Sequence, residues 1–213
     1  MEKKFIAFNH IAPYFLLGAP GPEIKHIWFV CHGYGQLAKY FIKKFDVLND
    51  GSHLIVAPEG LSRFYLEGFS GKVGATWMTR EERETDIQNY LTYLETLAIS
   101  VVNQTAAANL SITLLGFSQG AATASRWMTE TSLTISRFIL WGGIFPPDLN
   151  QEKAREKLLT SKNYLVVGNK DPFFRASRIE EYQTICAELG IYPEKKVFEG
   201  GHDIIPGMLK EFL

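Results

Sequence analysis

The chain has 213 residues, of which 46% are hydrophobic, 21% charged and 13% aromatic, a composition that excludes disordered, collagenous and fibrous proteins. At this length about 70% of the unfolded surface can be buried, enough for one core and a single domain over 1–213. Lys and Arg total 22 against 23 Asp and Glu, a net charge of −1, so no basic excess points to nucleic acid or an anionic membrane, and the expected partner is a small molecule without strong charge.

From the amino terminus, Phe5-Ile6-Ala7-Phe8 after Lys3-Lys4 resembles the opening of a secretory signal. Asn9, His10 and Pro13 interrupt it before the usual run of about 7 to 15 apolar residues, so a cytoplasmic protein is expected. Phe5 to Asn9 and Tyr14 to Leu17, around Pro13, read as an opening antiparallel hairpin. Short apolar runs then recur at Ile27 to Val30, Leu54 to Val56, Ile112 to Leu115, Phe138 to Trp141 and Tyr164 to Val167. Such continuous runs mark strands buried on both faces, as in a parallel sheet, since a half-exposed sheet would alternate apolar with polar. Helices are predicted between them at about 36 to 48, 118 to 131, 174 to 189 and from 206 onward. The clearest starts at Thr79, where Thr79 and Glu82 have capping-box spacing; Ile87, Tyr90, Leu91, Leu94, Leu97 and Val101 follow as one apolar stripe. The sum is an α/β three-layer sandwich with a mostly parallel sheet. No run approaches the ~18 apolar residues of a membrane span. The two cysteines, Cys31 and Cys186, have no metal-ligand spacing and are expected as buried, reduced thiols.

Open α/β sheets bind ligands beyond the carboxyl ends of their strands, which directs attention to the residues after each apolar run. There stand Cys31-His32-Gly33-Tyr34-Gly35-Gln36, Gly116-Phe117-Ser118-Gln119-Gly120, Gly142-Gly143-Ile144-Phe145-Pro146, Gly168-Asn169-Lys170-Asp171-Pro172-Phe173 and Val197-Phe198-Glu199-Gly200-Gly201-His202. Gly116 to Gly120 fits G-x-S-x-G, a turn that lifts a serine from a strand end onto a helix start; its glycines avoid side-chain clashes in the sharp bend. About 0.1 such matches are expected by chance in this composition, so the placement between strand and helix carries the signal.

A serine hydroxyl needs a base to take its proton and a third group to orient that base. Of the five histidines, only His202 follows Ser118. Asp171, directly after a buried strand and held extended by Pro172, is the preferred acid; Asp148 is the runner-up, and Asp203 adjoins His202 too closely. The order Ser118, Asp171, His202 is that of the α/β-hydrolase fold. Charge building on an acyl oxygen would be met by the backbone N–H groups of Tyr34 and Gln119, while His32 is expected to brace its loop. The segment 60 to 78, rich in glycine and aromatics, is predicted to wall the pocket through Trp77 and Met78, together with Phe145, Phe173 and Phe174.

Taken together, His32-Gly33-Tyr34-Gly35, Gly116 to Ala122, Gly168 to Pro172 and Gly200-Gly201-His202 resemble the phospholipase/carboxylesterase family of serine hydrolases, which includes small bacterial carboxylesterases and acyl-protein thioesterases. The resemblance runs from about residue 24 to the end. It implies an α/β-hydrolase fold without a large lid, acting on carboxylic esters of small or medium acyl chains, or on thioesters, with no cofactor and no metal. Ser118, Asp171 and His202 match the family's triad, and Tyr34 and Gln119 its oxyanion positions. Gln36 stands where the family usually has Asp, and Tyr34 where it usually has Leu. The implied partners are a small ester or thioester and no nucleic acid; a homodimer is compatible with the sequence. The alternative outside enzymes is a ligand-binding member of the same fold, since a fold alone does not set function.

Overall fold

The computed structural model describes residues 1–213. In chain order its elements are β1 (Tyr14–Leu17), β2 (His26–Cys31), α1 (Ala38–Phe41), β3 (His53–Pro58), β4 (Ser62–Tyr65), β5 (Val73–Thr76), α2 (Arg83–Thr105), β6 (Ser111–Phe117), α3 (Gln119–Glu130), β7 (Arg137–Trp141), α4 (Gln151–Leu159), β8 (Lys162–Gly168), α5 (Ala176–Leu189) and β9 (Glu194–Phe198), with 3₁₀ segments at Ile42–Leu48 and Pro206–Phe212. Seven strands form one sheet in the order β1-β3-β2-β6-β7-β8-β9, and β4 and β5 form a separate antiparallel pair. All neighbours in the large sheet are parallel except β1, which runs antiparallel to β3.

Alternate residues of each central strand feed two cores. Phe29, Val56, Leu114, Leu140 and Leu165 face α2, α3, α4 and α5, whereas Trp28, Ile55, Leu115, Ile139 and Val166 face α1 and the two 3₁₀ segments. Burial on both sides is why these strands are apolar throughout, and it makes the molecule a three-layer α/β sandwich. The stripe of α2 points into the first core: Ile87, Tyr90, Leu94, Leu97 and Val101 are buried and Leu91 partly so.

Several local expectations are corrected. Phe5 to Asn9 forms no strand; Phe5, Ile6 and Phe8 are exposed, and Tyr14–Leu17 pairs instead with β3, Tyr14 opposite Pro58. Pro13 has no N–H to give a ladder, and its carbonyl accepts from Tyr93 Oη and Glu59 N. No capping box forms at Thr79. Glu82 is left-handed (φ 54°) and α2 begins after it, at Arg83, while Asp86 takes the Thr79 N–H that a cap would have organised. The helix expected over 36 to 48 is one α turn followed by the 3₁₀ segment. Helix α4 was not foreseen because only Ala154 and Leu158 of it are buried, too few to make a stripe. Asn150, whose side chain accepts from Lys153 N, was the legible start signal.

Candidate active site

Strands β2 and β6 are parallel neighbours with Cys31 opposite Gly116, and the chain leaves β2 toward β3 on one side while β7 and β8 follow β6 on the other. That reversal of winding direction opens a crevice at their carboxyl ends. Ser118 stands there alone between β6 and α3, at φ 55° and ψ −117°, a region that costs a non-glycine residue about 1 to 3 kcal/mol. Its N–H donates to Trp141 O at 2.9 Å, which ties the turn to β7. A Cβ on Gly116 would stand 2.6 Å from Ala121 Cα, and one on Gly120 2.6 Å from His32 O. The two glycines are therefore demanded by the close approach of α3 to the strand ends.

The loops after β8 and β9 are laced together by Asn169 N to Phe198 O at 2.9 Å and Lys170 N to Gly200 O at 2.8 Å. This lacing brings Asp171 to His202, whose Nδ1–H donates to Asp171 Oδ2 at 2.7 Å. The other carboxylate oxygen accepts from Phe173 N at 2.9 Å, and the side chain is 1% exposed. With Nδ1 so occupied, Nε2 is the ring's acceptor. Phe117 and Phe173 flank the imidazole, at 4.8 and 4.7 Å between ring centres, and Ser118 and His202 line one cavity of about 280 Å³. Asp148 is elsewhere, held by Arg126 and Arg83, and Asp203 pairs with Lys44.

Parallel pairing of β2 with β6 sets the His32 loop beside the serine, so that a Cβ on Gly33 would lie 3.2 Å from Ser118 Cβ. Gly33 N donates to Gln36 Oε1 at 2.8 Å, and Gln36 thereby ties the loop into a turn. The N–H groups of Tyr34 and Gln119 have no acceptor within the protein, as a pair of donors waiting for an anionic oxygen would. The Gln119 side chain is turned away, donating to Thr76 Oγ1 at 2.9 Å and Met78 O at 3.0 Å. His32 is wholly buried. Its Nδ1–H donates to Gly33 O at 2.8 Å and its Nε2 accepts from Gly60 N at 2.9 Å. Burial holds its pKa below the usual imidazole range, and with both nitrogens committed it is a neutral brace.

Of the residues expected to wall the pocket, Phe173 and Phe174 line the cavity. Trp77 and Phe145 do not: both are 1% exposed in the main core. Trp77 Nε1 donates to His32 O at 2.8 Å, and Phe145 stacks between Phe138 and Tyr182. Met78 is partly buried against the same core, its sulfur near Arg126. An aromatic in a glycine-rich segment can fill a core as readily as a pocket; of the rings in segment 60 to 78, Trp77 turns inward, whereas Tyr65 and Phe69 are exposed. Gly142, Gly143 and Ile144 complete the wall from a loop already marked by its place after β7, and Ala122 from the end of the Gly116 to Ala122 stretch, whereas Arg178 also lines the cavity without any sequence signal. Both cysteines are free and buried, and burial pushes their thiols up. No group of three His, Cys, Asp or Glu side chains is placed to hold a metal ion, and no helix is long and apolar enough to cross a membrane.

The family model described as serine hydrolase (FSH1) matches residues 25–210. No curated protein sequence matches. Among solved structures, a carboxylesterase from Mesorhizobium loti is similar with a TM-score of 0.71 at 18% identity, over 94% of this chain and 93% of that one. The Zea mays acyl-protein thioesterase 2 is similar with a TM-score of 0.68 at 16% identity, over 95% and 96%. A phospholipase/carboxylesterase from Dyadobacter fermentans gives 0.64 at 21% identity, over 93% and 92%. At these identities the likeness establishes the α/β-hydrolase fold.

Proposed function

The chain belongs to the serine hydrolase (FSH1) family, and from that premise we propose that it cleaves carboxylic esters of small or medium acyl chains through an acyl-enzyme on Ser118. Ser118 Oγ attacks the acyl carbonyl carbon while His202 Nε2 takes its proton; Asp171 holds the imidazole in the required tautomer and stabilises the imidazolium that forms. The oxygen that becomes negative is bound by the Tyr34 and Gln119 N–H groups. His202 returns the proton to the leaving oxygen, and water then attacks the acyl-enzyme by the same route.

The observation that carries this reading is the 2.7 Å bond from His202 to a buried Asp171, where His202 lines the same cavity as a serine at positive φ. A structural turn has no need of either feature. The cavity's 280 Å³ and its Ile144, Phe173 and Phe174 walls favour short or medium apolar acyl groups. Thioesters are the second reading, favoured by the likeness to a protein titled acyl-protein thioesterase; matched oxygen and sulfur esters of one acid separate the two.

The test is intact-mass labelling with a small fluorophosphonate. One adduct on the wild type, none on Ser118→Ala and a strongly slowed reaction on His202→Ala is the expected result. A folded wild type that takes no label overturns the assignment and leaves a ligand-binding protein; a Ser118→Ala variant that still takes it overturns Ser118 as the nucleophile.

A further inference from the structure

A second cleft, of about 620 Å³, begins one residue beyond Tyr34. Gly35 and Gln36 form its floor; one wall is the chain from Leu37 to Lys44 and the other is the β4–β5 hairpin with Leu66, Lys72 and Val73. The floor is fastened to the hairpin wall. Gly35 N donates to Ala75 O at 2.9 Å, Ala75 N donates to Gln36 O at 3.1 Å, and a Cβ on Gly74 would stand 2.7 Å from Gly35 Cα. The cleft is thus built into the fold by the same loop that carries the Tyr34 N–H.

Its charge is one-sided. Lys39, Lys44 and Lys72 line it and no Asp or Glu does, although the whole chain is nearly neutral. Lys44 donates to Asp203 at 2.7 Å, which sets this end of the cleft beside His202. Lys39 lies over the Tyr40 ring at 4.9 Å, and neither it nor Lys72 is paired with a carboxylate. Leu37, Leu66 and Val73 add an apolar part to the lining. Gln36 links the cleft to the loop beside the serine, since its Oε1 accepts from Gly33 N at 2.8 Å and a Cβ on Gly33 would lie 3.2 Å from Ser118 Cβ.

We propose that this cleft binds the leaving-group half of the substrate, and that this half is an alcohol or thiol whose apolar stem ends in a phosphate. The inference rests on the acyl-transfer reading above and names the substrate class for it. The acyl half occupies the 280 Å³ cavity. The apolar walls take the stem, and the two ammonium groups without a carboxylate partner, Lys39 and Lys72, suit a phosphate as point charges. As Ser118 Oγ bonds to the carbonyl carbon, the bond from that carbon to the leaving oxygen or sulfur breaks, and His202 delivers the serine's proton to the departing atom. The phosphorylated alcohol or thiol leaves through the cleft, and water hydrolyses the acyl-enzyme.

Two butyryl esters test this, one of 1-pentanol and one of 1,5-pentanediol monophosphate. The wild type is expected to favour the phosphorylated ester in kcat/KM by about tenfold or more, through KM, with the advantage shrinking in about 0.5 M salt. In the Lys39→Gln/Lys72→Gln double variant the ratio between the two esters collapses toward one, and a ratio is insensitive to a general loss of folded enzyme. Pentyl phosphate competes with substrate, whereas inorganic phosphate at equal concentration does not. Equal kcat/KM for the two esters, an unchanged ratio in the double variant, or equal inhibition by inorganic phosphate overturns the proposal. Fluorophosphonate labelling of the same preparations separates the failures: a labelled Ser118 with no ester preference defeats only the cleft, and an unlabelled one defeats the hydrolase reading.

Discussion

Ser118 carries backbone strain, and Asp171 is a buried carboxylate whose two oxygens are both engaged. Each is costly unless its surroundings hold it: Trp141 O takes the Ser118 N–H, and Phe173 N and the His202 ring hold the carboxylate. Asp171→Asn keeps the shape but turns an acceptor into an amide that can present N–H to the ring, which favours the wrong tautomer of His202. Turnover is expected to fall by about 10² to 10⁴-fold with KM little changed, read in a steady-state assay with a butyryl ester. Gly120→Ala puts a methyl group 2.6 Å from His32 O, where neither strand β2 nor helix α3 can retreat. The expected cost is about 3 kcal/mol, seen as a lower urea midpoint at constant m-value.

At the scale of elements, the loop from Gly142 to Asn150 is held by one ionic network. Arg126 on α3 grips Asp148 with Nε at 3.0 Å and Nη2 at 2.8 Å, Arg83 at the start of α2 adds a third contact at 2.6 Å, and Arg126 Nη1 donates to Tyr90 Oη at 3.2 Å. Burial raises the Asp148 pKa, but the hydrogen bonds and charges of the two arginines outweigh it and hold the carboxyl at about 2. A carboxyl depressed in the folded state stabilises fully above its unfolded pKa, near 4, and that stability is lost as pH falls through the folded value. With the solvent exposure of this group discounted, the contribution is roughly 1 kcal/mol. Asp148→Asn is therefore expected to lower stability at pH 7 and to flatten its loss between about pH 4 and 2, measured by thermal melts across that range. Because the same loop carries Gly143 and Ile144 of the cavity, KM for acyl substrates should rise in the variant.

For the molecule as a whole, the sheet's centre and its edge differ in protection. Strands β2, β3, β6 and β7 are covered on both faces, whereas the first 13 residues pair with no strand and β1 sits at the sheet margin. Amide hydrogen exchange should be slowest in Phe29, Val30, Leu114, Leu115 and Ile139, and fast through Met1 to Ile11. Removal of residues 1 to 11 is expected to change stability by less than about 1 kcal/mol. Slow exchange at Phe5 to Phe8 would show that the arm has a partner after all.

Periodicity and local motif were enough for strands β2, β3, β6, β7 and β8 and for the glycine turn around Ser118, because each is decided by neighbours within a few positions, whereas the four-residue strands β4 and β5 were not foreseen. A strand buried on both faces must be apolar throughout, and a sharp turn between strand and helix must have glycine at its flanks. Ser118, Asp171 and His202 could be singled out as candidates because each lies within four residues of the end of a strand. Contacts between distant segments were beyond that reach. Whether Trp77 and Phe145 would fill a core or a pocket depended on which face of which layer received them, and Phe5 to Phe8 found no strand to complete. The Lys-lined cleft was equally hidden, because it exists only where Gly35 and Gln36 pair with Ala75 across almost forty residues of chain. A net charge sums over the chain and carries no position; the pairing of loop with hairpin gathers three lysines around one cleft.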